Sequence, residues 1–177
     1  MRCKLLGLLL LIGWSAHAPC QTVERRTSMA PAARGDALLR ARMLDAHNAA
    51  RRGGRAAAGL GRASGGGAAS YAATLAREDR FDHALQESEG ENLWMGTRDA
   101  YALDEMVGGW ITERRYYRAA ATPNFSTTGN WGDVAHYTQI VWHSATALGC
   151  ALASNHDSDV LVCRYSPPGN VVGELAF

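Results

Sequence analysis

Apolar residues recur along this chain first at helical spacing and then, towards the C-terminus, at the alternating spacing of strands. Leu39, Met43, Ala46 and Ala50 lie three or four apart, with Leu44 and His47 on the flank of the stripe. They predict a helix from Ala37 to about Arg52, which Asp36 can cap and Gly53-Gly54 stops. Ala68, Tyr71, Ala72 and Leu75 predict a second helix up to Asp79. Leu103, Met106, Val107, Trp110 and Tyr117 mark the strongest helical pattern, from Asp99 to about Tyr117, with Asp99 as its cap. The dense run from His136 to Trp142 fits a short helix, because His136 and Ile140 are one turn apart; its β-branched residues leave a strand as the alternative. Beyond it the pattern is that of strands. Leu148–Ala153 and Val160–Tyr165 flank the polar turn Asn155-His156-Asp157-Ser158, and Val171–Phe177 reads as a short last segment.

The hairpin fixes a register. Closing it between Ser154 and Asp159 sets Leu152 opposite Leu161 and Cys150 opposite Cys163. Directly opposed residues of an antiparallel pair have Cα atoms about 4.5–5.5 Å apart, within disulfide range. A Cys150–Cys163 bond is therefore expected if the chain meets an oxidising compartment.

The N-terminus supplies that compartment. Arg2 and Lys4 precede the apolar run Leu5–Trp14 and the small residues around Ala16-His17-Ala18, the layout of a secretory signal peptide. Residues 1–18 are read as that signal and 19–35 as a linker. The domain proper spans 36–177, and the mature chain has no transmembrane segment. A lipid anchor through Cys20 is the secondary reading, since Pro19 stands where a small residue is wanted. The protein is expected to be secreted, extracellular or periplasmic. Among 177 residues, 47% are hydrophobic and 20% charged, and the formal net charge is +1. That describes one globular domain and gives no reason to expect nucleic acid as a partner. Arg51-Arg52 with Arg55 reads as a solvated helix end, with contact to an anionic surface as the alternative. Arg55–Gly67 reads as a loop, flexible at Gly65-Gly66-Gly67.

Chemistry concentrates in a few side chains. Glu113 falls three residues after Trp110 and four before Tyr117, on the apolar stripe of its helix. A carboxylate there needs polar partners. His136 opens an apolar segment that has no structural need of an imidazole. His83 and Glu91 lie in polar, Gly-punctuated contexts, and the four are expected to converge. His47 is read as a hydrogen-bonded packing residue. Thr138, Ser144 and Tyr137 carry hydroxyls close to His136, yet no spacing marks one as an activated nucleophile. No phosphate loop, zinc-finger spacing or Gly-x-Ser-x-Gly elbow is present.

These motifs fall in a recognisable order. Ala135-His136-Tyr137-Thr138-Gln139-Ile140-Val141-Trp142 resembles the first signature of the CAP superfamily, which unites cysteine-rich secretory proteins, antigen 5 and pathogenesis-related protein 1; its domain is also called SCP. Val162-Cys163-Arg164-Tyr165-Ser166-Pro167-Pro168-Gly169-Asn170 resembles the second signature. Gly90-Glu91-Asn92 resembles the Gly-Glu-Asn motif, His47-Asn48 the first-helix motif, and Phe81-Asp82-His83 the site of the first cavity histidine. The approach Ser126–Trp131 is similar to bacterial members. Ala135, Ala84 and the Arg55–Gly67 stretch depart from the usual pattern. The resemblance implies an α+β fold, an α-β-α sandwich with a three- to four-stranded antiparallel sheet between helical layers. It also implies a cavity tetrad of His83, Glu91, Glu113 and His136.

Three readings follow as expectations. The favoured one is a secreted, monomeric binding module or effector for a lipid, sterol or protein partner. His83 and His136 would take Zn²⁺ or another divalent cation, with Glu91 and Glu113 behind them. The alternative is a metal-assisted hydrolase, a peptidase, with Glu91 or Glu113 as the candidate catalytic base. Without a clear nucleophile the balance leans away from an enzyme. A purely structural extracellular module is the third reading.

Overall fold

A computed structural model describes residues 21–22, 33–53, 59–62, 66–85 and 88–177. The signal peptide, Cys20, Arg55, Gly65 and most of the linker read from the sequence lie outside those residues.

The C-terminal hairpin is the centre of the fold. β4 (Ala147–Ser154) and β5 (Ser158–Ser166) pair antiparallel with Cys150 opposite Cys163, Leu152 opposite Leu161 and Ser154 opposite Asp159, the register expected from the turn. The disulfide forms, with Cα atoms 4.1 Å apart. Asn155 closes the turn by accepting the N–H groups of Asp157 and Ser158 at 2.9 and 2.8 Å, the local bond that favours Asn in turns. β5 lies between β4 and β3 (Gly90–Thr97), also antiparallel. Being central, β5 is buried on both faces, and Val160-Leu161-Val162-Cys163 runs apolar without a polar break.

Alternation along these strands builds two cores. Trp94, Leu161, Cys163 and Tyr165 face α1 (Asp36–Gly53), α3 (Leu103–Thr112) and α4 (Ala135–Val141), packing with Met43, Met106, Trp110 and Ile140. Leu93, Met95, Val160 and Val162 face α2 (Gly66–Glu78), against Ala72 and Leu75. The result is the α-β-α sandwich. Two short parallel pairings extend its three antiparallel strands at either edge. β1 (Gln21–Thr22) joins β3 and β2 (Gly61–Arg62) joins β4, giving the order β1-β3-β5-β4-β2. Neither edge was legible: Gln21–Thr22 sits in the stretch read as linker, and Gly61–Arg62 in the stretch read as loop.

Three further readings need correction. Gly66 and Gly67 begin α2 rather than forming a flexible loop. α3 starts at Leu103, not after Asp99. Asp99 has φ +59° and gives its N–H to the buried Asp159 carboxylate at 2.9 Å, so it belongs to a turn. The helix start is held instead by Glu105, which accepts the Ala102 N–H at 2.8 Å. The far end also differs, since α3 stops at Thr112 and Glu113–Tyr116 is a 3-10 turn. The chain from 117 to 133 is anchored to the domain by the buried Thr122, Phe125 and Ser126.

Candidate functional site

α4 is seven residues long and buried throughout. A helix this short is not stable alone in water, and burial denies its ends the solvent that would satisfy them. Side chains do so. At the N-terminal end Glu113 accepts the N–H groups of His136 and Tyr137, each at 3.1 Å, and the His136 Nδ1–H at 2.7 Å. Its charge lies where the helix dipole favours an anion. At the other end the buried Arg51 donates to the carbonyls of Ile140, Trp142 and Ala145 at 3.1, 2.7 and 3.0 Å. Arg51 is thus not part of a solvated helix end; only 1% of it is exposed. Asn170 fastens the middle, donating to the Ala135 carbonyl at 2.9 Å and accepting the Thr138 hydroxyl at 2.7 Å.

The glycines of the Gly-Glu-Asn motif and of the second signature region have the same cause. A Cβ at Gly90 would collide with the Gln139 amide, and one at Gly169 would stand 2.7 Å from Gln139 and Trp142. α4 sits too close for any side chain there.

His136 is therefore fixed by its backbone and by one ring nitrogen. The ring also stacks on Trp110, with centroids 5.9 Å apart and planes 12° from parallel. Nδ1–H is committed to Glu113, so in the neutral imidazole Nε2 carries the lone pair. That Nε2 is buried and has no hydrogen-bond partner among the described residues.

His83 forms a second pair. Its Nδ1 donates to Glu91 at 2.7 Å, and the Ala84 N–H donates to the same oxygen at 3.1 Å. The other Glu91 oxygen lies 2.7 Å from Arg164 Nε. Glu91 is wholly buried and His83 partly so. Arg164 sits over the Tyr71 ring and reaches Glu89 at 3.4 Å; burial, with the Glu91 charge next, raises the Tyr71 hydroxyl above its ordinary pKa.

The four expected residues thus form two His–Glu pairs, His83 with Glu91 on β3 and His136 with Glu113 beside α4. Strand alternation sends Glu91 towards α2 with Arg164. The next residue, Asn92, points the other way and donates to the His136 carbonyl at 3.1 Å. No group of three or more His, Cys, Asp or Glu side chains among the described residues is arranged to hold a metal. Of the hydroxyls, Thr138 is spent on the Val134 and Ala135 carbonyls and on Asn170. The Tyr137 hydroxyl is buried, which raises its pKa. Ser144 is half-buried beyond the end of α4.

A polar relay missed in the sequence joins α1 to α4. His47 donates Nδ1–H to the Met43 carbonyl at 2.7 Å and accepts the Tyr165 hydroxyl at Nε2 at 2.8 Å. Tyr165 in turn accepts Asn92 Nδ2 at 3.0 Å. Burial, chiefly, pushes His47 down from 6.5 to about 4. Its bond to Met43 works the other way, and the Arg51 charge adds to the lowering.

The chain is similar to known proteins over most of its length. The family model for the cysteine-rich secretory protein family, CAP, matches residues 44–165. Pathogenesis-related protein 1B of Nicotiana tabacum is 36% identical over 140 residues, 76% of this chain and 78% of that protein. Pathogenesis-related protein PR-1 type of Sambucus nigra is 34% identical over 140 residues, 76% of this chain and 79% of its own. The crystal structure of NaASP2 with Zn²⁺ superposes with a TM-score of 0.61 at 24% identity, over 78% of this chain and 84% of that one. The fold, the disulfide-closed hairpin and these matches agree that the chain belongs to the CAP family of cysteine-rich secretory and pathogenesis-related 1 proteins.

Proposed function

We propose that the protein is an exported CAP-domain binding module that takes up a divalent cation such as Zn²⁺ at His83 and His136 and acts on a lipid, sterol or protein partner. The observation that carries the cation reading is the buried Nε2 of His136, without a partner among the described residues and aimed by a carboxylate on the opposite ring nitrogen. Glu113 and Glu91 each hold an Nδ1, which is how carboxylates orient metal-binding imidazoles. Two nitrogen donors, with water as the remaining ligands, suit Zn²⁺. The related fold of NaASP2 was solved with Zn²⁺. Export is supported by the Cys150–Cys163 disulfide. The reading takes 1–18 as the leader and 36–177 as the domain, with 19–35 between them contributing Gln21–Thr22 to the sheet edge. No described helix is long and apolar enough to cross a membrane.

The hydrolase alternative has less support. Both glutamates that would serve as base are already engaged, Glu113 with two amides and an imidazole, Glu91 with His83, Ala84 and Arg164. Zinc titration by calorimetry on the wild type and on His83→Ala/His136→Ala tests the reading. Binding lost in the double variant supports it; equal binding in both would sink the cation assignment.

A further inference from the structure

We propose that the surface formed by the 3-10 turn Glu113–Tyr116, the chain from 117 to 125 and residues 171–177 docks onto an anionic lipid bilayer. Among the described residues four large apolar side chains are substantially exposed: Leu85, Val172, Leu175 and Phe177. Three of them share one short segment, and fraying does not explain that. The Thr122 N–H donates to the Glu174 carbonyl at 2.9 Å, the Gly173 N–H to the Thr122 carbonyl at 2.9 Å, and the His143 N–H to the Ala176 carbonyl at 2.7 Å. Ala176 is fully buried and the Phe177 ring lies 5.1 Å from Tyr117. An ordered backbone thus holds Val172, Leu175 and Phe177 outward.

Cations border this apolar strip. Arg114, Arg115 and Arg118 are exposed on the neighbouring turn. Arg118 is held beside the strip, since its side chain donates to the Asn124 carbonyl at 2.7 Å and its N–H to Phe125 at 2.8 Å. Arg115 lies over the Tyr116 ring, and Arg114 reaches the Gly53 carbonyl at 3.1 Å. The opposing charges are few. Glu113, on the same turn, is directed inward to His136. Asp133 is bonded to Thr128 and Asn130. Glu174 is the acid of the strip itself.

Apolar side chains held outward beside several arginines match the two parts of a bilayer surface, acyl boundary and anionic headgroup. An acidic protein or polymer would use the arginines and leave the strip without a purpose. The proposal does not rest on the cation reading, so either can fail alone.

Hydrogen–deuterium exchange of the whole chain reads this face directly. It separates docking here from any tethering of the apolar run Leu5–Trp14. The probes are phosphatidylcholine vesicles with and without phosphatidylserine. Slowed exchange confined to residues 112–125 and 171–177, present with phosphatidylserine and weakened by salt, is the expected result. Arg115→Glu/Arg118→Glu should lower the affinity of this contact by about tenfold or more, and Leu175→Ser/Phe177→Ser should reduce it at unchanged charge. Equal protection by neutral vesicles, protection of another face, or protection by soluble polyglutamate as strong as by vesicles would overturn the proposal. Should a variant fold poorly, the phosphatidylserine dependence of the wild type decides alone.

Discussion

Two buried histidines, His47 on α1 and His136 on α4, differ in how completely the protein satisfies them. Both are at most 2% exposed, and both give Nδ1–H to an oxygen at 2.7 Å. For His47 that oxygen is a backbone carbonyl and the second nitrogen meets the Tyr165 hydroxyl, so the ring is closed off. For His136 the oxygen belongs to a carboxylate and the second nitrogen meets nothing among the described residues. A buried polar atom without a partner costs about 1–3 kcal/mol. His47 is therefore fully satisfied by the fold, whereas His136 keeps a nitrogen that no described residue satisfies, and the proposed cation rests on that difference.

The largest test concerns the residue one turn beyond His47. If the buried polar groups of α1 serve stability, Arg51→Met should cost about 4 kcal/mol, because three buried carbonyls lose a charged donor. Urea unfolding would measure it; a loss below about 1 kcal/mol would remove Arg51 from that role.

The next test is acid. His47 is pushed down to about 4 in the folded chain from 6.5, so between these values the unfolded state binds more protons. Stability is full above about 6.5, falls as pH drops towards about 4, and loses no more from this group below it. The loss is about 3 kcal/mol. In His47→Phe this part of the pH slope should vanish, and an unchanged slope would reassign it to other groups.

The smallest effects sharpen the contrast most. At neutral pH His47→Phe should cost about 2 kcal/mol by orphaning Tyr165 and leave zinc uptake unchanged. His136→Phe, which keeps a ring on Trp110, should cost about 1 kcal/mol and abolish uptake. Calorimetry with both variants would break the comparison if uptake followed His47.

What the chain disclosed beforehand depended on the range of the interaction. The hairpin register and its disulfide follow from period-two alternation around a polar turn, and both are local. Glu113 was conspicuous because a carboxylate on an apolar stripe demands a partner, although the partners, two amides and an imidazole, lie 23 and 24 residues away. Arg51 had a comparable signal, since Leu39, Met43, His47 and Arg51 recur every four residues. Its charge argued for solvent, and carbonyls some 90 residues distant overrode that. Asn92 and Arg164 stand out in the sequence only as motif positions, because their tasks, holding α4 and neutralising Glu91, depend on strand pairing. Asp99 misled because a capping residue type also suits a turn with positive φ. The edge strands were invisible for the opposite reason: two residues carry no period.

The clamping of α4 at both ends has a kinetic side. Local opening normally begins at frayed helix termini, and here each terminus is held by a charged side chain from a different helix or turn, the part-buried Glu113 and the buried Arg51. Releasing His136 therefore requires α1, α3 and the sheet to separate together, so the amides of α4 should exchange with solvent only through global unfolding. The His136 imidazole therefore keeps one position for as long as the domain stays folded, and its orientation would be set before anything approached it rather than by the approach.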